Sequence, residues 1–177
     1  MKKILSILAV ALFAGSALAS KPIQISLTPD LSLFGRNERI EGLSLSLWGE
    51  NPQSAIALGV VNGSTGDSVG LSWALILNYA DNYTGIQWAP INYTKGDFLG
   101  WQAGIVNYVG GSMQGLQSGA VNYAGRLTGL QFGFLNYAAS VESGLQLGLL
   151  NLMPQNRWFS GLPNELAPGM IFINWCF

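Results

Sequence analysis

The sequence predicts an all-β chain: an antiparallel transmembrane β-barrel of about ten strands built from ~15-residue repeats, with a β-solenoid as the alternative. Three observations predict it. A phrase of the form G-hydrophobic-Q-x-G-x-x-N-Y recurs through the middle of the chain. Within each copy, large apolar residues alternate with small or polar ones at period two, the mark of a strand and not of a helix. Charged residues make up only 10% of the 177 residues, against about 25% in ordinary soluble domains, so something other than water is expected to face much of the surface.

The elements follow in chain order. Residues 1–19, MKKILSILAVALFAGSALA, carry two lysines, an apolar run from Ile4 to Gly15 and a small-residue site ending at Ala19, the layout of a secretory signal peptide. The single domain is then 20–177. No later apolar run approaches the ~20 residues that a membrane helix needs, so a membrane-spanning reading requires a closed barrel. Next, IQISLT opposes Ile23, Ile25 and Leu27 to Gln24, Ser26 and Thr28, and GLSLSLW opposes Leu43, Leu45 and Leu47 to Ser44 and Ser46. Pro29 ends or kinks the first of these strands.

The repeats occupy about 54–153, with units starting at Gly70, Gly85, Gly100, Gly115, Gly129 and Gly144 and a degenerate unit before them. Asn62, Asn78, Asn92, Asn107, Asn122, Asn136 and Asn151 mark one common position. One face of each unit carries bulky groups of varied size, such as Trp73, Trp88, Trp101 and Phe132. The other carries a uniform set: Gln87, Gln102, Gln117, Gln131 and Gln146, followed by Ala or Gly two residues on. Tyr79, Tyr93, Tyr108, Tyr123 and Tyr137 follow the marker asparagines near strand ends, where the aromatic girdles of a barrel belong, and strict alternation puts them on the Gln face. Turn signals fall once per unit and hold nearly all the charge. Only 154–168, with Trp158 and Phe159, makes a long connection before a last strand at 169–177.

Two architectures compete for this pattern. A ten-residue strand tilted near 45° covers about 24 Å, close to the ~25 Å apolar band of an outer-membrane barrel. Parallel stacking in a solenoid rewards identical residues at identical positions, as the repetition supplies. Against the solenoid, one coil can hide only one side of each strand, and its interior constrains size, whereas the large-residue face ranges from Ser118 to Trp88. The barrel is therefore the expectation.

The last strand alternates Ile171, Ile173, Trp175 and Phe177 to the terminal residue, which resembles the C-terminal targeting strand of bacterial outer-membrane β-barrel proteins. The repeats from Gly70 to Asn151 are similar to those of bacterial surface-repeat proteins. These resemblances imply an outer-membrane location, contact with outer-membrane lipid and insertion by the barrel-assembly machinery.

Catalytic chemistry is sparse. There is no histidine, which removes Ser-His-Asp and Cys-His arrangements and histidine metal sites. The nine acids are scattered singly through turns, and no phosphate-binding glycine motif occurs. Outside the signal peptide, which holds two of the eight Lys and Arg, six basic residues oppose nine acids, giving a net charge near −3 with no attraction for nucleic acid. Cys176 is alone, so no internal disulfide forms. The expected function is non-enzymatic, without cofactor or metal: a structural, adhesive or narrow-pore role, or alternatively an exported solenoid that binds surfaces. The Gln series would line the interior as a hydrogen-bonded plug in a barrel of this size. Trp158, Phe159, Trp175 and Phe177 are the candidate interface aromatics.

Overall fold

A computed structural model describes residues 21–177, and in it the chain winds as a β-solenoid of about seven turns. The expected signal peptide, residues 1–19, lies outside the described residues. The strands are β1 (Lys21–Ser26), β2 (Ile40–Asn51), β3 (Ser54–Trp88), β4 (Ile91–Thr94), β5 (Phe98–Ala103), β6 (Val106–Ser118), β7 (Val121–Leu152) and β8 (Gly169–Cys176). Every pairing from β1 to β7 is parallel, and only β8 runs antiparallel, against the last part of β7.

The expected antiparallel barrel is therefore corrected to the solenoid, and the register gives the reason. Gln87 lies opposite Gln102, Gln102 opposite Gln117 and Gln117 opposite Gln131. Asn78, Asn92, Asn107 and Asn122 line up in the same way. An antiparallel neighbour would set each Gln against an unlike residue. Parallel stacking repeats one side-chain contact at every layer, so a sequence that repeats its residues gains the same interaction many times over.

One turn, Phe98 to Ser112, shows how the alternation becomes a coil. Phe98, Gln102, Asn107 and Val109 are buried inside, while Leu99, Trp101, Ile105 and Val106 are exposed outside. Ile105 and Val106 are adjacent in sequence and both exposed, at 61% and 36%. The chain bends there, between the end of β5 and the start of β6. That bend shifts the phase of alternation by one residue, which sends Asn107 inward and leaves Tyr108 half-buried on the outside. The assignment of the tyrosines to the Gln face fails for this reason: period-two counting holds only while the strand is continuous.

The size argument against a solenoid also dissolves. The face of variable bulk points out, where nothing limits volume, and the uniform Gln and Asn face points in. The interior holds two amide rows and one apolar cluster, in which Tyr83, Phe98, Met113 and Leu127 pack beside Ala80, Val109, Ala124 and Ala138. Gly70, Gly85, Gly100, Gly115 and Gly129 sit in register with φ between 121° and 137°, a conformation that L side chains rarely adopt. A Cβ at Gly100 would land on the Gly85 carbonyl oxygen, so backbone freedom and close approach both require glycine here. At the C-terminal end, β8 closes the edge of the last turn, pairing Leu145 with Trp175 and Leu147 with Ile173.

Candidate functional site: an apolar outer corner

The interior amides are engaged with one another. The Gln102 side chain donates to Gln87 Oε1 at 2.9 Å, Gln117 to Gln102 at 3.0 Å, Gln131 to Gln117 at 2.7 Å and Gln146 to Gln131 at 2.7 Å. The Asn row does the same, with Asn78, Asn92, Asn107, Asn122 and Asn136 each donating to the next at 2.8–2.9 Å. All five glutamines are fully buried. Buried amides are tolerated when so paired, and a chain of them rigidifies the stack.

The charges gather at the opposite edge of the coil. From Ser54 to Met153 the charged residues are Asp67, Asp81, Lys95, Asp97, Arg126 and Glu142, each between a marker Asn and the glycine that starts the next unit; only Lys95 and Asp97 lie outside a strand, and the expected turns at the other four are continuous β3 and β7. Their work is local. The Gly66 N–H donates to Asp81 at 2.9 Å, Asn82 donates to Asp67 at 2.9 Å, and the Ser112 N–H donates to Asp97 at 2.7 Å, each stitching one layer to its neighbour. Near the N-terminus Lys21 pairs with Glu38, and Arg36 with Asp30. Among the described residues no group of three or more His, Cys, Asp or Glu is placed to hold a metal.

Two hydroxyls and the thiol are perturbed. Burial, then the hydrogen bond to Glu50, pushes Tyr79 up to about 12, and burial alone raises Tyr83 further. Burial and the nearby Glu165 carboxylate raise Cys176, which disfavours its reactive thiolate.

The candidate interface aromatics lie at the C-terminal cap and not along the coil's flanks. Trp158 and Phe159 are exposed at 63% and 52%, their rings 5.9 Å apart. Trp175 donates its indole N–H to the Pro163 carbonyl at 2.9 Å, tying β8 to the loop. Phe177 is exposed.

The feature that stands out is the corner itself. Leu75 (56%), Ile105 (61%), Phe134 (65%) and Leu149 (57%) form an exposed ridge along it, with Pro90 and Ala120 in the same row. One flank carries Ile91, Val106, Val121 and Leu150, and the other carries Trp73, Trp88 and Phe132, all exposed. Ordinary soluble monomers rarely show contiguous apolar patches beyond a few hundred Å². Sequence alternation placed Leu75, Ile105, Phe134 and Leu149 on the bulky outward face but assigned the flank of Val106, Val121 and Leu150 to the Gln face. The signal was present: Ile105-Val106, Phe134-Leu135 and Leu149-Leu150 are apolar doublets just before the marker Asn, and two adjacent apolar residues cannot both face into one strand's core side.

Near the C-terminal end the ridge holds a groove of about 430 Å³, lined by Phe132, Phe134, Leu149 and Phe172 over Gly119, Gly133 and Gly148. Phe172 has φ 69° and is 66% exposed. A bulky residue in that region is strained, and such strain marks positions where the fold holds a side chain against its own preference.

No family model, curated protein or solved structure matches this chain.

Proposed function

We propose that the mature chain is an exported, non-enzymatic β-solenoid that acts as a surface-binding module at the outer membrane of a bacterial envelope. The observation that carries this reading is the exposed apolar ridge with an apolar flank on either side. Large apolar side chains in that arrangement favour burial against something, at about 25 cal/mol per Å² covered. The signal-peptide layout and the terminal aromatic strand support the compartment. The barrel-assembly machinery has no part in this reading, since β8 closes a solenoid end. The scattered acids support a non-enzymatic role, because Asp67, Asp81 and Asp97 are occupied in stitching one layer to the next.

Fractionation of cells expressing the full chain tests the proposal. The mature protein is expected in the envelope fraction after a high-salt wash and to be released by detergent. Paired Ile105→Asp and Leu75→Asp substitutions should move it to the soluble fraction. Recovery of the unsubstituted protein in the salt-washed soluble fraction overturns the proposal.

A further inference from the structure

We infer that the surface this module binds is the hydrocarbon of an uncharged lipid layer, which the ridge enters as a wedge lying in the plane of the membrane without crossing it. The inference rests on the surface-binding reading and names its partner.

The polarity around the coil carries the argument. From the ridge, both flanks become more polar toward the charged corner. On one flank the apolar row of Ile91 and Val106 gives way to Tyr93, Tyr108, Tyr123 and Tyr137, whose rings stack 4.7–5.3 Å apart. On the other, Trp88 and Phe132 give way to a more polar row in which Thr84, Gln114, Thr128 and Ser143 stand in line with one exposed apolar residue, Leu99. Beyond both rows lie Asp81, Lys95, Asp97 and Arg126. An apolar body, an amphipathic aromatic margin and a charged far side match the profile of an interfacial segment, whose apolar face enters about 5–10 Å into the acyl boundary.

Shape separates lipid from a second copy of the chain. Adjacent exposed residues such as Ile105 and Val106 show that the apolar surface is convex, wrapping an edge. A second copy offers a sheet face, which covers one flank and leaves the other in water. Fluid acyl chains cover both. The six positions of the ridge row from Leu75 to Leu149, at ~4.8 Å per layer, give a ridge of roughly 24 Å, so many weak contacts act together. With nine acids against six bases outside residues 1–19, anionic headgroups offer no attraction, and phosphatidylcholine is the appropriate probe. The groove between Phe134 and Phe172, about 430 Å³ over Gly119, Gly133 and Gly148, leaves room for an acyl chain at the end of the ridge.

The purified mature chain, with its signal peptide removed, should float with phosphatidylcholine vesicles, and lipids brominated in the acyl region should quench its tryptophan fluorescence, with Trp88→Phe reducing the quench. Phe134→Asp with Phe172→Asp should weaken vesicle binding at least about tenfold, each aspartate adding a desolvation penalty at the interface. Thr84→Asp with Gln114→Asp, on the polar margin, should leave it within about twofold. Quenching on the unsubstituted chain keeps the test valid if the ridge variant misfolds. If the chain fails to float but sediments as a stable dimer or stays with salt-washed envelopes, the lipid inference falls and the surface-binding reading stands. If it floats equally well with both ridge phenylalanines replaced and its β-sheet spectrum intact, the ridge is not the contact and the inference falls. If it does none of these, both readings fall.

Discussion

Tyr83 begins the apolar row that continues as Phe98, Met113 and Leu127, its ring stacked on Phe98 with centroids 6.2 Å apart. Its hydroxyl is buried and has no hydrogen-bond partner. An orphaned buried hydroxyl costs about 1–3 kcal/mol, so Tyr83→Phe should be neutral or stabilising by about 1 kcal/mol, read from the urea midpoint. The same residue sets an alkaline limit together with Tyr79. In the unfolded chain both phenols ionise near pH 10, whereas in the fold Tyr79 holds its proton up to about 12 and Tyr83 beyond that. A folded pKa above the unfolded one means the stability linked to these protons is complete below about pH 10 and drains as pH rises through the folded value. Urea midpoints should therefore fall between about pH 10 and 12, and Tyr79→Phe with Tyr83→Phe should flatten that decline. At this scale the alternation was legible, since Gln102 and Trp101 lie on opposite sides of the coil wall. The inward or outward choice for Tyr108 was not, because a bend at Gly104-Ile105 changes the phase and a bend is a property of the folded backbone.

The unit of architecture is the coil, and two rows hold successive coils together. Gly100 has φ 133° and abuts the Gly85 carbonyl. Gly100→Ala combines backbone strain with overpacking and should cost about 3–5 kcal/mol. Gly66, with φ 59° and open space around it, is the control. Gly66→Ala should cost only about 1–2 kcal/mol. Equal losses at the two sites would mean that the glycine row is not a packing requirement. The Gln row should behave as a chain. Gln117→Ala removes the donor to Gln102 and the acceptor of Gln131, leaving a cavity and an unpaired buried oxygen, a loss of about 3 kcal/mol. The phrase that builds these rows was plain in the sequence. Whether its copies run side by side in the same or in opposite directions was not, because period-two alternation reads identically along a strand whichever way its neighbour points.

The whole molecule is a stack of coils, and at its C-terminal end the covering of the backbone edge decides whether stacks can join end to end. At the C-terminal end β8 covers the backbone edge of Gly144 to Leu152, and the loop before it is anchored by the Asn156 amide donating to the Trp175 carbonyl at 2.8 Å. Removing residues 169–177 would bare a long, nearly uncharged edge with a repeating register, a template for end-to-end growth. Such a truncated chain should form thioflavin-positive fibrils under conditions where the full mature chain does not. Fibril formation at equal rates would show that β8 does not protect the edge. The terminal strand was thus readable as an amphipathic strand with an aromatic end, and its partner was not.

Residue order alone determined the all-β character, the fifteen-residue period, the separation of a uniform amide face from a bulky apolar one, and the grouping of charge between each marker asparagine and the glycine that starts the next unit. All of these are local: they depend on side-chain chemistry and on the two-residue repeat of an extended backbone. Only the tertiary structure decided that the strands stack in parallel, that the amide face closes on itself as ladders, and that the apolar face wraps an exposed ridge. Those outcomes depend on which segments become neighbours, a long-range choice made by the summed contacts of every layer at once and written in no single one of them.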